Sequence, residues 1–166
     1  MPEEILNYEQ ELIDKSDNYG IVLAAGGLTP TLQTGNQTVQ SDVELSLDTW
    51  SHVMGTYDDE TKELEIYVNG YLQGSEKLGG SFTPPHNSAA LRLAGVEGRF
   101  VGQLDELTVY SRALSPFEVR DVFLYQGKWV EDRESTAVTV DDAPPDSELY
   151  SHNAAFPYRA NQDEVM

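Results

Sequence analysis

The sequence contains no cysteine. That excludes a disulfide framework, a thiolate zinc centre, an iron–sulfur cluster and a cysteine nucleophile. Positive charge is scarce: ten Lys and Arg stand against 29 Asp and Glu, for a formal net charge of −19. Phosphate backbones and anionic lipid repel such a polyanion, so no nucleic-acid partner is expected. Long apolar runs are missing too. Ile21 to Ala25 is far too short to span a bilayer, and Met1-Pro2-Glu3-Glu4 lacks the basic start of a signal peptide. No membrane insertion is expected.

What is present suffices for one domain with a tail. A chain of 166 residues buries roughly 70% of the surface that its unfolded form exposes, so it needs no covalent staples. Its carboxylates also offer oxygen ligands to hard cations such as calcium.

Up to about residue 114 the punctuation is that of an all-β protein. Turn-forming residues recur at Gly26-Gly27, Gly35-Asn36, Asn69-Gly70, Gly79-Gly80 and Gly95 to Gly98, with short apolar or alternating runs between them, a rhythm that predicts a sandwich or barrel. Ser41 to Asp48 alternates strictly and reads as a strand, with Val43, Leu45 and Leu47 on one face. In Glu63 to Asn69, Leu64, Ile66 and Val68 point one way and Glu63, Glu65 and Tyr67 the other. Asn69-Gly70 then supplies the two positive φ angles of a type I′ hairpin, and the chain resumes as Tyr71-Leu72-Gln73. Glu3 to Lys15 fits either a helix, through Ile5, Tyr8 and Leu12, or a strand over Glu11-Leu12-Ile13 that enters the turn Ser16-Asp17-Asn18.

One helix is signalled. Ser115 and Glu118 form a capping box, Pro116 occupies the first helical position, Val119, Val122 and Phe123 make an apolar stripe, and Gly127 supplies a stop. This predicts about three turns packed on the β domain. Beyond it the texture changes: residues 131–166 carry nine acidic and two basic residues, net −7. Ala143-Pro144-Pro145-Asp146-Ser147 reads as a stiff linker, preceded by one short strand at Val138-Thr139-Val140. The expected organisation is a domain over 1–127, then an acidic linker and the start of a following domain over 128–166.

Three ordered blocks carry a family resemblance: Trp50-Ser51-His52-Val53, Ile66-Tyr67-Val68-Asn69-Gly70, and the closing run from Gly102 to Ser115, with Leu104-Asp105-Glu106, Tyr110 and Arg112-Ala113-Leu114-Ser115. Together they resemble the laminin-G-like jelly-roll family of the concanavalin A-like lectin and glucanase group. The resemblance extends from about residue 11 to 127 and favours strand for Glu11 to Ala25. It implies two packed antiparallel sheets in a jelly-roll sandwich, with one short C-terminal helix and an extended acidic tail. Members usually open with earlier strands than this chain holds. The resemblance therefore predicts unpaired sheet edges: either the chain is a fragment, or an oligomer or another covering partner occupies them.

Such modules serve as sugar binders, protein binders, adhesion units and passengers on larger secreted proteins, so the sites must decide. Asp42 with Glu44, and Glu63 with Glu65, each put two acids on one strand face. Neither pair matches the acid spacing of glucanases on this fold, and both are expected to be solvated. His52, His86 and His152 are scattered, and no G-x-S-x-G elbow exists. His52 is expected to be a packed structural residue. The resemblance places Asp105 where such folds often hold a structural calcium, which makes it the candidate metal ligand. For ligand binding the candidates are the aromatics Tyr67 and Tyr71 and the loop residues Phe82, His86 and Asn87, because sugar rings stack on exposed aromatics while amides bind hydroxyls. The leading expectation is a non-catalytic recognition or adhesion module of a larger extracellular or cell-surface protein, with a glycan or a surface protein as its partner. A structural spacer is second and a glycosidase third.

Overall fold

Short aliphatic runs broken by glycine, asparagine and acidic turns fold as that punctuation requires. In the computed structural model, which describes residues 1–95 and 100–135, the elements in chain order are β1 (Gln10–Asp14), β2 (Tyr19–Leu23), β3 (Pro30–Thr34), β4 (Gln37–Gln40), β5 (Val53–Asp58), β6 (Glu63–Val68), β7 (Tyr71–Lys77), β8 (Arg92–Leu93) and α1 (Pro116–Ser135). One sheet has five strands in the order β4-β3-β2-β1-β8, the other three in the order β5-β6-β7. All pairings are antiparallel. This is the two-layer sandwich that the resemblance implied.

The turns explain the register. Between β1 and β2, Ser16 and Asp17 take positive φ angles of 34° and 62°, and the Asp14 carboxylate accepts the Ser16 amide at 3.0 Å. The strand reading of Glu11 to Ala25 therefore holds. Between β6 and β7, Asn69 and Gly70 sit at φ 51° and 75°, the type I′ geometry whose twist matches the flanking strands.

Period-two alternation then builds two apolar layers. Leu12, Leu23, Leu32 and Val39 of the larger sheet meet Leu64, Ile66 and Val68 of β6 in the core between the sheets. Fully burying each such side chain contributes about 1.5–3 kcal/mol. The opposite face of β6 is covered as well: Tyr67 packs with Leu114, Val119 and Val122, and Met54 and Tyr110 close around them. Helix α1 thus completes the domain by roofing the outside of the smaller sheet. Its start is the expected capping box, in which Glu118 Oε2 accepts the Ser115 amide at 2.7 Å and Ser115 Oγ accepts the Glu118 amide at 3.4 Å.

Two expectations need correction. Ser41 to Asp48 is not a strand. Ser41 Oγ accepts the Val43 amide and donates to the Val43 carbonyl, a local turn that competes with a ladder. Leu45 alone of the three aliphatic residues is buried, while Val43 and Leu47 are exposed. The helix also does not stop at Gly127 but continues to Ser135. An interior glycine costs only about 1 kcal/mol relative to alanine, too little to end a helix whose next residues are Lys128, Trp129, Val130 and Glu131. The strand expected at Val138–Val140 and the Pro-rich linker lie outside the described residues. Among the described residues no helix is long and apolar enough to cross a membrane.

Candidate functional site

The tight turn after β6 projects Asn69 and Gly70 toward α1, and the cluster at this end grows from that contact. The Asn69 amide donates to the His52 carbonyl at 2.8 Å, and the His52 amide donates to Asn69 Oδ1 at 3.0 Å. On α1, Arg120 and Phe123 are three residues apart and share a face. One Arg120 guanidinium nitrogen donates to the Asn69 carbonyl at 3.1 Å. The guanidinium carbon lies 4.1 Å from the centre of the Tyr71 ring and 5.3 Å from that of Phe123. Phe123 in turn meets the His52 ring at 5.8 Å.

Tyr71 is therefore an aromatic surface held from one side. It is 57% exposed, yet the cation above it fixes its position. His52 behaves as the packed residue expected of it. Burial depresses its pKa to about 4, and its Nδ1 has no hydrogen-bond partner among the described residues.

Tyr67 is a different matter. It is 1% exposed, because the roof of α1 covers the face on which alternation places it. Its hydroxyl donates to Glu65 Oε2 at 2.7 Å, and burial followed by that carboxylate pushes its pKa well up. No ring face is left for a ligand, so Tyr67 leaves the set of candidate contacts.

The loop candidates lie elsewhere. Phe82 is partly buried and meets Tyr57 edge-on at 5.7 Å. Asn87 is committed to the scaffold: its Nδ2 donates to the Ser16 carbonyl at 2.6 Å and its Oδ1 accepts the Ala89 amide at 3.0 Å. Lys15 Nζ donates to the Ala89 carbonyl at 2.8 Å, pinning the same loop over the β1–β2 turn. His86 is exposed. Tyr71 opens β7 and this loop follows its far end, which lies roughly 20 Å from Tyr71 at about 3.3 Å per strand residue. The expected binding residues do not form one site.

The acid pairs also separate. Glu65 accepts Tyr67 and, at 3.3 Å, the Thr56 hydroxyl, so it is a half-buried anchor rather than a solvated carboxylate. Glu44 accepts the Thr29 hydroxyl at 3.3 Å and shares no strand with Asp42. Asp105 accepts the Glu106 amide at 2.8 Å through Oδ1. Among the described residues no group of three or more His, Cys, Asp or Glu side chains gathers around a point. Calcium takes six to eight oxygens, so Asp105 by itself does not make a calcium site.

Sequence reasoning overlooked Arg120 and Asn69. The available signal was an arginine set between Val119 and Val122 on the rim of the apolar stripe, where its stem packs and its head reaches outward.

The family model for the concanavalin A-like lectin/glucanases superfamily, of laminin G type, matches residues 1–120. A search of curated proteins finds no match. Among solved structures, the chain is similar to a proposed carbohydrate binding protein from Bacteroides ovatus ATCC 8483, with a TM-score of 0.61 and 20% identity; the match covers 72% of this chain and 37% of that one. It is also similar to an S-layer domain-containing protein (residues 221–444) from Clostridium thermocellum ATCC 27405, with a TM-score of 0.35 and 20% identity over 74% of this chain and 65% of that one. The chain thus spans less than two thirds of the length of either structure.

Proposed function

The chain belongs to the concanavalin A-like lectin/glucanase superfamily, and from that membership we propose that it is a non-catalytic recognition module that binds carbohydrate through Tyr71. The observation that carries this reading is an exposed aromatic ring fixed by Arg120 at the Asn69-Gly70 turn. A ring immobilised before binding loses little conformational freedom when a sugar stacks on it. The neighbouring Arg120 and the turn backbone supply polar groups for hydroxyls. The proposed ligand of the similar Bacteroides ovatus protein is of the same class. In this reading the module serves a larger extracellular or surface protein, in recognition or adhesion.

A glycan array with the full chain tests the proposal, using Tyr71→Ala beside His86→Ala. Binding that is lost in the first variant and kept in the second supports a stacking site at Tyr71. An array on which the unsubstituted chain binds nothing overturns it and leaves the spacer role. Release of reducing sugar from a bound glycan overturns the non-catalytic part.

A further inference from the structure

The smaller sheet ends on β5, and the register shows what that edge presents. The Asn69 amide bonds to the His52 carbonyl, and pairing runs without a shift from Val53 opposite Val68 to Asp58 opposite Glu63. In an antiparallel ladder, bonded and non-bonded pairs alternate. Residues 54, 56 and 58 therefore direct their backbone groups to β6. Val53, Gly55 and Tyr57 turn both N–H and C=O outward, where no strand pairs with β5 among the described residues.

This edge lacks the usual protections of proline, lysine, bulge or shortness. It is six residues long, reads Val-Met-Gly-Thr-Tyr-Asp and keeps an unbroken register. By contrast, β7 carries Glu76 and Lys77 and a register shift, and β8 has two residues. The two faces beside β5 differ. Val53 and Tyr57 pack toward the core between the sheets, and a side chain at Gly55 would meet Leu32 at 2.6 Å. The opposite face holds Thr56 bonded to Glu65, with Glu63 opposite Asp58.

We propose that the outer edge of β5 accepts an added antiparallel strand from another polypeptide, one that alternates aliphatic and basic residues. The aliphatic side chains fall beside Val53 and Tyr57, and the basic ones fall beside Thr56 and Asp58, on the face that Glu63 and Glu65 share one strand further in. A second copy of this chain fits less well. It would bring a further net charge of −19, and pairing through its own β5, Val-Met-Gly-Thr-Tyr-Asp, would set no cation against that face. This inference rests on a different part of the molecule from Tyr71 and stands or falls separately.

The probes are nine-residue peptides of alternating valine and lysine, added to the full chain. Residues cross-strand from 53, 55 and 57 share their face and return their hydrogen bonds, so the valine amides point at β5. Backbone N-methylation of the valines should weaken binding by about tenfold or more, while N-methylation of the lysines should leave it nearly unchanged. The unmethylated peptide should slow amide exchange at Val53, Gly55 and Tyr57 selectively. Absence of binding overturns the proposal, as does equal binding of the two methylated peptides or of a valine–glutamate peptide. Concentration-dependent dimers that protect the same three amides without peptide assign the edge to a second copy and overturn the proposed partner.

Discussion

The Arg120 guanidinium lies 4.1 Å from the centre of the Tyr71 ring while it donates to the Asn69 carbonyl. One side chain thus ties helix to hairpin twice. Arg120→Ala removes a cation–π contact of about 0.5–2 kcal/mol and a charge-assisted hydrogen bond of about 1.5–3 kcal/mol. The two are coupled, so a combined loss of about 2 kcal/mol is expected. Arg120→Lys should restore only part, because an ammonium cannot both stack flat and reach the carbonyl. Urea unfolding measures both; a midpoint unchanged in the alanine variant would show that the contact contributes nothing.

Gly70 is required twice over. Its φ of 75° disfavours any side chain, and a Cβ there would meet Phe123 at 3.0 Å and the Arg120 stem at 3.1 Å. Gly70→Ala should cost about 1–3 kcal/mol. A side chain at Gly79 would meet nothing within 4 Å, so Gly79→Ala should lie between neutral and about 1 kcal/mol stabilising. Thermal melting of the pair separates backbone strain from a general dislike of alanine; equal shifts would contradict the turn geometry.

Much of this arrangement was legible beforehand, and the reasons are local. Asn69-Gly70, Ser115 with Glu118, and the Leu64, Ile66, Val68 alternation each state their own conformation, because the groups that satisfy them lie within a few residues. The site was less legible. Tyr67 and Tyr71 look alike in sequence, and only the placement of α1 buries the first and exposes the second. Alternation at Ser41 to Asp48 misled because a strand needs a partner as well as a pattern, and the Ser41 hydroxyl offers the backbone a nearer one. The position of Arg120 on the rim of the apolar stripe was legible, but not its partner, because the contact spans 51 residues of chain.

His52 should make the domain sensitive to mild acid. Burial lowers its pKa from 6.5 to about 4, so the folded form holds the neutral imidazole while the unfolded chain takes up a proton sooner. Stability is therefore full above pH 6.5 and falls as pH drops toward 4, by at most about 1.4 kcal/mol per pH unit. His52→Leu, which keeps an apolar contact for Phe123, should flatten the profile in that window. Denaturation at pH 7, 6, 5 and 4 tests it; parallel profiles for the two proteins would refute the assignment.

Glu118 should act in a lower window with a different cause. The Arg112 guanidinium grips both its oxygens at 2.7 and 2.9 Å, and the Ser115 amide adds a third bond, so its pKa falls from 4.5 to about 2. A depressed carboxylate pKa contributes stability that is complete above about pH 4.5 and disappears as pH falls through about 2. Arg112 is 48% exposed, so water and salt screen the pair and its worth at neutral pH is about 0.5–1 kcal/mol. Glu118→Gln keeps an acceptor for the Ser115 amide while removing the charge. The stability difference between the two proteins should hold steady from pH 7 to 5, narrow between 4.5 and 2, and shrink in molar salt. If the difference instead persists at pH 2, the capping hydrogen bond rather than the ion pair secures the start of α1.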